Sequence, residues 1–289
     1  MRIVSENLSY TYSEKIKSMS VRALNNVSLV IEEGDFFGVI GETGSGKSTF
    51  IQHLNGLIKT DGSKGKITVG EFDLTDKKCD FKKLRSKVGM VFQYPEYQLF
   101  AETVEADVTF GLKNCHPEYT EEEKKQATKE AIELMGLCYE EIKDKSPFEL
   151  SGGQKRRVAI AGVLVLKPEV LVLDEPAAGL DPKGKTELLS LLKDIHGKIV
   201  KTIIIVSHDM NLITEHCNKV AVFHKGEVLT SGAPGQIFKN IECIKTAGLR
   251  LPLTAKIYFA LKEKGIELEG DLTEKNVIEK ISLLKGGKK

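Results

Sequence analysis

The chain has 289 residues, 41% hydrophobic and 29% charged, with 42 Lys and Arg against 41 Asp and Glu for a net charge of +1. This composition excludes a disordered or collagen-like chain and supports one large domain, or one domain with a small appendage. Near-neutral charge removes the broad basic footprint of a nucleic-acid binder, so no nucleic-acid partner is expected.

The longest uninterrupted apolar run, 158–166, is about half the length a membrane-spanning helix requires. The opening MRIVSENLSYTY lacks the apolar core of a signal peptide, and a cytoplasmic location is expected. Five cysteines, Cys79, Cys115, Cys138, Cys217 and Cys243, are scattered without a CxxC pair and read as reduced packing residues.

The first predicted strand, 36–40, runs directly into Gly41-Glu42-Thr43-Gly44-Ser45-Gly46-Lys47-Ser48, which fits GxxxxGK[ST]. Glycines let the backbone turn its N–H groups around phosphate oxygens, Lys47 brings charge to the outer phosphates, and the Ser48 hydroxyl suits Mg²⁺. A helix predicted from about 48 to 57 points its positive end at the same anion.

A second strand, 88–92, ends at Gln93 and the aromatic, acidic stretch Tyr94 to Phe100. Between 103 and 167 the strand signal vanishes, and the runs 120–135 and 154–166 point to a helical insertion. Within it, Leu150-Ser151-Gly152-Gly153-Gln154 opens a helix. Ser151 is a good N-cap and the glycines expose backbone N–H groups, a second anion surface, although such a stretch alone is also an ordinary cap and turn. The basic clusters at 82–85 and 155–157 read as solvated faces.

The apolar run 170–173 predicts a buried strand that ends in Asp174 and Glu175. Asp174 is placed to hold Mg²⁺ through water, and Glu175, at the strand's edge, to polarise an attacking water as general base. Strands at 202–206 and 220–223 follow, with His208 just past the first. The alternation of strands and helices argues for an α/β fold whose core sheet is mainly parallel and buried. After about 235 two amphipathic helices, 253–264 and 273–284, form an appended unit of about fifty residues.

In this order the motifs resemble the ATP-binding cassette family over roughly 1–235. Gly41 to Thr49 match its Walker A motif, Gln93 its Q-loop glutamine, Leu150 to Gln154 its signature, and Asp174 with Glu175 its Walker B motif. Ala178-Gly179-Leu180-Asp181 matches the D-loop and His208 the switch histidine; Tyr12 resembles the aromatic that stacks on adenine, with Tyr10 the weaker candidate. Ala177 departs from the Thr that many members carry there. The stretch Phe92 to Phe100 with Glu102-Thr103-Val104, together with 151–164, is similar to the ATPases of energy-coupling-factor transporters, and to the second of their two ATPases in particular.

The resemblance implies a P-loop α/β nucleotide-binding domain at 1–235 with a helical subdomain at about 94–167, and a C-terminal dimerisation domain at 236–289 with contacts at 249–253 and the helix through Leu261. It implies ATP and Mg²⁺ as cofactors. Glu175, His208, Gln93 and Lys47 would be catalytic, Ser48, Gln93 and Asp174 would serve the metal, and Tyr12, residues 41–49 and the partner-facing Ser151, Gly152, Gly153 and Gln154 would bind nucleotide. Two cassettes, this chain and a related paralogue, would pair head to tail. A transmembrane scaffold would dock near Glu96, Tyr97 and Phe100, with a substrate-binding membrane subunit in the same complex on the cytoplasmic face. The expected function is ATP hydrolysis that powers uptake of vitamins or metal ions. Its rivals are a cassette of another transporter type, or a soluble cassette in DNA repair or translation, which carries long coiled coils or two cassettes per chain.

Overall fold

The computed structural model describes residues 1–12, 20–60 and 62–286. Among the described residues, ten strands divide between two sheets. One is antiparallel, in the order β2 (Val21–Ile31), β1 (Ile3–Tyr12), β4 (Lys66–Val69), β5 (Phe72–Asp73). The other runs β10 (Glu227–Gly232), β9 (Lys219–His224), β3 (Phe36–Gly41), β8 (Thr202–Val206), β7 (Val170–Asp174), β6 (Val88–Val91), parallel throughout except for β10. The five strands expected from their apolar runs are the five parallel ones. β3, β6 and β8 are buried at every position, which is why they read as unbroken apolar stretches.

The antiparallel sheet and β10 left no such signal. β1 and β2 pair with register shifts, and Asn7 (φ 50°) and Asn26 (φ 52°) adopt left-handed backbone at the irregularities. Each places its N–H on a hydroxyl of the other strand, Asn7 on Ser28 at 2.9 Å and Asn26 on Ser9 at 3.0 Å. Such bulges break the two-residue alternation that marks a strand. β10 buries no residue fully.

The helices are α1 (Lys47–Leu54), α2 (Phe81–Lys87), α3 (Val104–Cys115), α4 (Glu121–Leu134), α5 (Tyr139–Ile142), α6 (Gly152–Leu164), α7 (Pro182–Ile195), α8 (Met210–His216), α9 (Pro234–Lys239), α10 (Ile241–Thr246), α11 (Leu253–Glu263) and α12 (Glu274–Gly286). From α3 to α6 the chain makes no strand, as the insertion reading requires; α4 starts with a capping box in which Thr120 and Glu123 bond each other's backbone N–H. Val108, Leu112, Ile132, Val158 and Leu164 join this subdomain to the core beneath the parallel sheet. The helices α9 to α11 share the core of the parallel sheet: Phe238, Ile244 and Ala255, with Leu272 in the loop before α12, belong to the same apolar cluster as Leu173 and Ile205.

Candidate functional site

Three parallel strands deliver the chemistry from their C-terminal ends. β3 feeds the loop that wraps into α1. Gly41 (φ 153°) and Gly46 (φ 102°) take conformations that favour glycine, and a side chain at either would collide with the carbonyl of Phe223 or of Ala23. α1 starts at Gly46 with no side-chain cap, so its first backbone donors are not taken by the chain's own side chains. The ammonium of Lys47 lies buried across the loop and donates to the Gly41 and Glu42 carbonyls, both at 2.8 Å. Burial pulls its pKa below that of an ordinary lysine, against the opposing pull of Glu175 and Asp174.

β7 pairs with β8 up to Asp174 and Val206, so its two carboxylates emerge beside the loop. Ser48 Oγ donates to Asp174 Oδ2 at 3.0 Å, joining positions 126 residues apart. A hydroxyl and a carboxylate are hard oxygen donors that suit Mg²⁺. Glu175 follows at φ 50°, a strained backbone for a non-glycine residue, held by its N–H on Val206 O at 3.0 Å. Its side chain is 13% exposed, and Oε1 stands 3.3 Å from His208 Nε2 but out of hydrogen-bond alignment. Burial first, then the neighbouring Asp174, push the Glu175 carboxyl up to about 7; burial raises Asp174 too, and lowers His208. A base poised near neutrality is what proton abstraction from water needs.

The other expected residues spread around this centre. Gln93 is exposed just past β6. The Tyr12 hydroxyl lies 3.3 Å from Thr49 Oγ1, so its ring borders α1, and Tyr10 meets it edge-on at 4.9 Å. Ser151 and Gln154 cap α6 reciprocally, Ser151 Oγ accepting from Gln154 N at 3.3 Å and Gln154 Oε1 from Ser151 N at 3.0 Å. Among the described residues, nothing beyond the chain neighbours and the helix's own backbone approaches within 4 Å of where a side chain would start at Gly152 or Gly153. Asp181 caps α7, accepting from Gly184 N at 2.7 Å.

Arg156, read from the sequence as part of a solvated basic cluster, is instead buried. It makes a bidentate pair with Glu96 at 3.1 and 2.8 Å and donates to the backbone carbonyls of Pro176 and Ala178. Both oxygens of Glu96 are thereby committed within the chain, whereas Tyr97 (83% exposed) and Phe100 remain open. One guanidinium thus ties the start of α6 to the loops after Gln93 and after Glu175. The sequence offers no signal that separates Arg156 from its half-buried neighbours Lys155 and Arg157.

A model of the ABC transporter family matches residues 24–178. The chain is 47% identical over 272 residues to the energy-coupling factor transporter ATP-binding protein EcfA2 of Clostridium tetani, covering 94% of this chain and 93% of that one. It is 48% identical over 273 residues to the EcfA2 of Clostridioides difficile, with the same coverage. Among solved structures it resembles cbiO1 of Clostridium perfringens, part of the ABC transporter complex cbiONQ, with a TM-score of 0.73 and 38% identity over 88% of this chain and 97% of that one. It also resembles the ATP-binding cassette MJ0796, a dimer in a post-hydrolysis state bound to ADP and Pi, with a TM-score of 0.71 and 30% identity over 80% of this chain and 98% of that one.

Proposed function

The chain belongs to the ABC transporter family, among its energy-coupling factor ATP-binding proteins, and from that premise we propose that it hydrolyses ATP to drive uptake of vitamins or metal ions through separate membrane subunits. The observation that carries this is the Ser48–Asp174 hydrogen bond, which closes the phosphate loop onto the strand end that presents Glu175. Ser48, Gln93 and Asp174 would hold Mg²⁺, which when bound neutralises charge on phosphate oxygens. Lys47 releases its loop carbonyls to take the outer phosphates. Glu175 accepts a proton from the attacking water, with His208 beside it to contact the γ-phosphate. Tyr12 stacks on the adenine.

Pairing is part of the mechanism. The open face of Ser151 and Gly153 closes over the nucleotide on a second cassette, a related paralogue set head to tail, and Asp181 relays across the pair. No described helix is long and apolar enough to cross a membrane. We place the subunit on the cytoplasmic face, docked to its transmembrane scaffold through Tyr97 and Phe100, with a substrate-binding membrane subunit in the complex and the C-terminal helices of 236–289 helping the cassettes pair. Glu175→Gln tests the reading: ATP binding should persist while turnover, and ATP-driven uptake in vesicles carrying the assembled complex, fall about 10²–10⁴-fold. Undiminished hydrolysis would overturn it.

A further inference from the structure

We propose that the cavity on the outer side of Glu175, roofed by the C-terminal segment, is a transit site for the inorganic phosphate that hydrolysis releases. The proposal rests on the ATP-hydrolysis reading and extends it to the product. Two cavities flank His208. One, of about 580 Å³, includes Gly41, Glu42 and Thr43 and is the nucleotide side. The other, of about 510 Å³, is lined by Glu175 and His208 together with Lys185, Ser207, Arg250 and Lys256. His208 and Arg250 line both, so they stand at the boundary between the two.

The chemistry of the outer cavity suits an oxyanion that must be held weakly. Its one other acid, Asp209, already bonds Lys185 and the N–H groups of Asn211 and Leu212, at 2.9 and 3.1 Å. Arg250 and Lys256 add two cations on exposed side chains, and the Ser207 hydroxyl adds a further polar group. Ala177 and Ala178 also line the cavity, with methyl groups that bond no anion. When water adds to the γ-phosphorus and the bond to the β-phosphoryl oxygen breaks, ADP stays on the loop of β3 and α1. The phosphate then sits on the Glu175 side, where this cavity opens without ADP having to move.

The cavity exists because the C-terminal segment is fastened over it. Leu253 N–H donates to Asn211 Oδ1 at 2.8 Å, and Ala247 and Ala255 are buried in the main core on either side of Arg250. Gly248 (φ 63°) passes so close to Glu42 that a side chain there would collide with its carboxylate. The tail therefore adds charge to the product side of the reaction centre.

The test is steady-state ATP hydrolysis by the full chain in its assembled complex, with inorganic phosphate or ADP added as product inhibitor. In Lys256→Ala, at a residue that lines the outer cavity and not the nucleotide-side one, the phosphate inhibition constant should rise about threefold, as expected for one exposed charge, while the ADP inhibition constant and KM for ATP hold. The charge-keeping Lys256→Arg should retain the original phosphate constant. Unchanged phosphate inhibition in Lys256→Ala, or parallel weakening toward ADP, overturns the proposal. Loss of turnover in Lys47→Ala, measured alongside, assigns the hydrolysis to this chain's own loop. A null result on phosphate then removes the transit site and leaves the ATPase reading standing.

Discussion

α1 begins at a glycine with no side-chain cap, half-buried near two carboxylates and a lysine folded onto its own loop carbonyls, whereas α6 begins with Ser151 and Gln154 bonding each other's backbone and open space in front of Gly152 and Gly153. Both starts offer a helix N-terminus to an anion, but only the first leaves its donors without side-chain partners and its charges close together. The second is at rest by itself. In the proposed mechanism this difference divides the work: the α1 half would hold nucleotide in a single chain, and the α6 half would add to it only when presented to a nucleotide already held by another cassette.

The comparison breaks most visibly at Arg156, which fixes the α6 half to the loops of the α1 half. Arg156→Ala leaves the half-buried Glu96 without its partner and two carbonyls without a donor. The loss should be about 3–5 kcal/mol of stability, read as a lowered urea midpoint. Arg156→Lys should recover part of it, because one ammonium cannot reproduce the fork. A variant as stable as the parent would mean that the two halves are not held together through this residue. A smaller effect, on activity alone, sharpens the assignment of halves. In pairs with one Ser151→Arg chain, turnover should fall about 10²-fold at the partner's phosphate loop and hold at the variant's own. Loss at the variant's own loop would reverse the head-to-tail arrangement.

How much of this was legible follows the same division. The α1 half is written locally: eight consecutive residues set the loop, and a buried parallel strand shows its apolar run whatever surrounds it, so β3, β7 and β8 and their terminal residues could be placed from the sequence. Arg156 could not, because its role depends on Glu96, sixty positions away, and on carbonyls that any loop possesses. β1 and β2 were hidden by their bulges at Asn7 and Asn26. The tail showed its helices by their spacing. That its core is shared with the parallel sheet, and that Arg250 borders both cavities, is set by packing that no periodicity encodes.

The α1 half also stores unfavourable electrostatics that the α6 half does not, and pH exposes it. In the unfolded chain Glu175 titrates near 4.5, and in the folded protein near 7, chiefly because burial disfavours its charge. Between those values the folded state keeps a proton that the unfolded state has lost. The stability of protein free of metal and nucleotide should therefore be greatest, for this group, below pH 4.5 and decline as pH rises to about 7, then level off. Glu175→Gln removes the penalty. Urea unfolding in chelator should show the variant more stable than the parent by about 2–3 kcal/mol at pH 8, with the difference vanishing toward pH 4.5. Asp174 is raised by the same burial, so a shallower slope of the same sign should survive in the variant. Ser151→Ala, in the half that carries no such charge, should follow the parent's slope at every pH, displaced only by about 1 kcal/mol for the lost cap. If Glu175→Gln instead tracks the parent while Ser151→Ala flattens the curve, the strain lies in the α6 half and the division between the two is reversed.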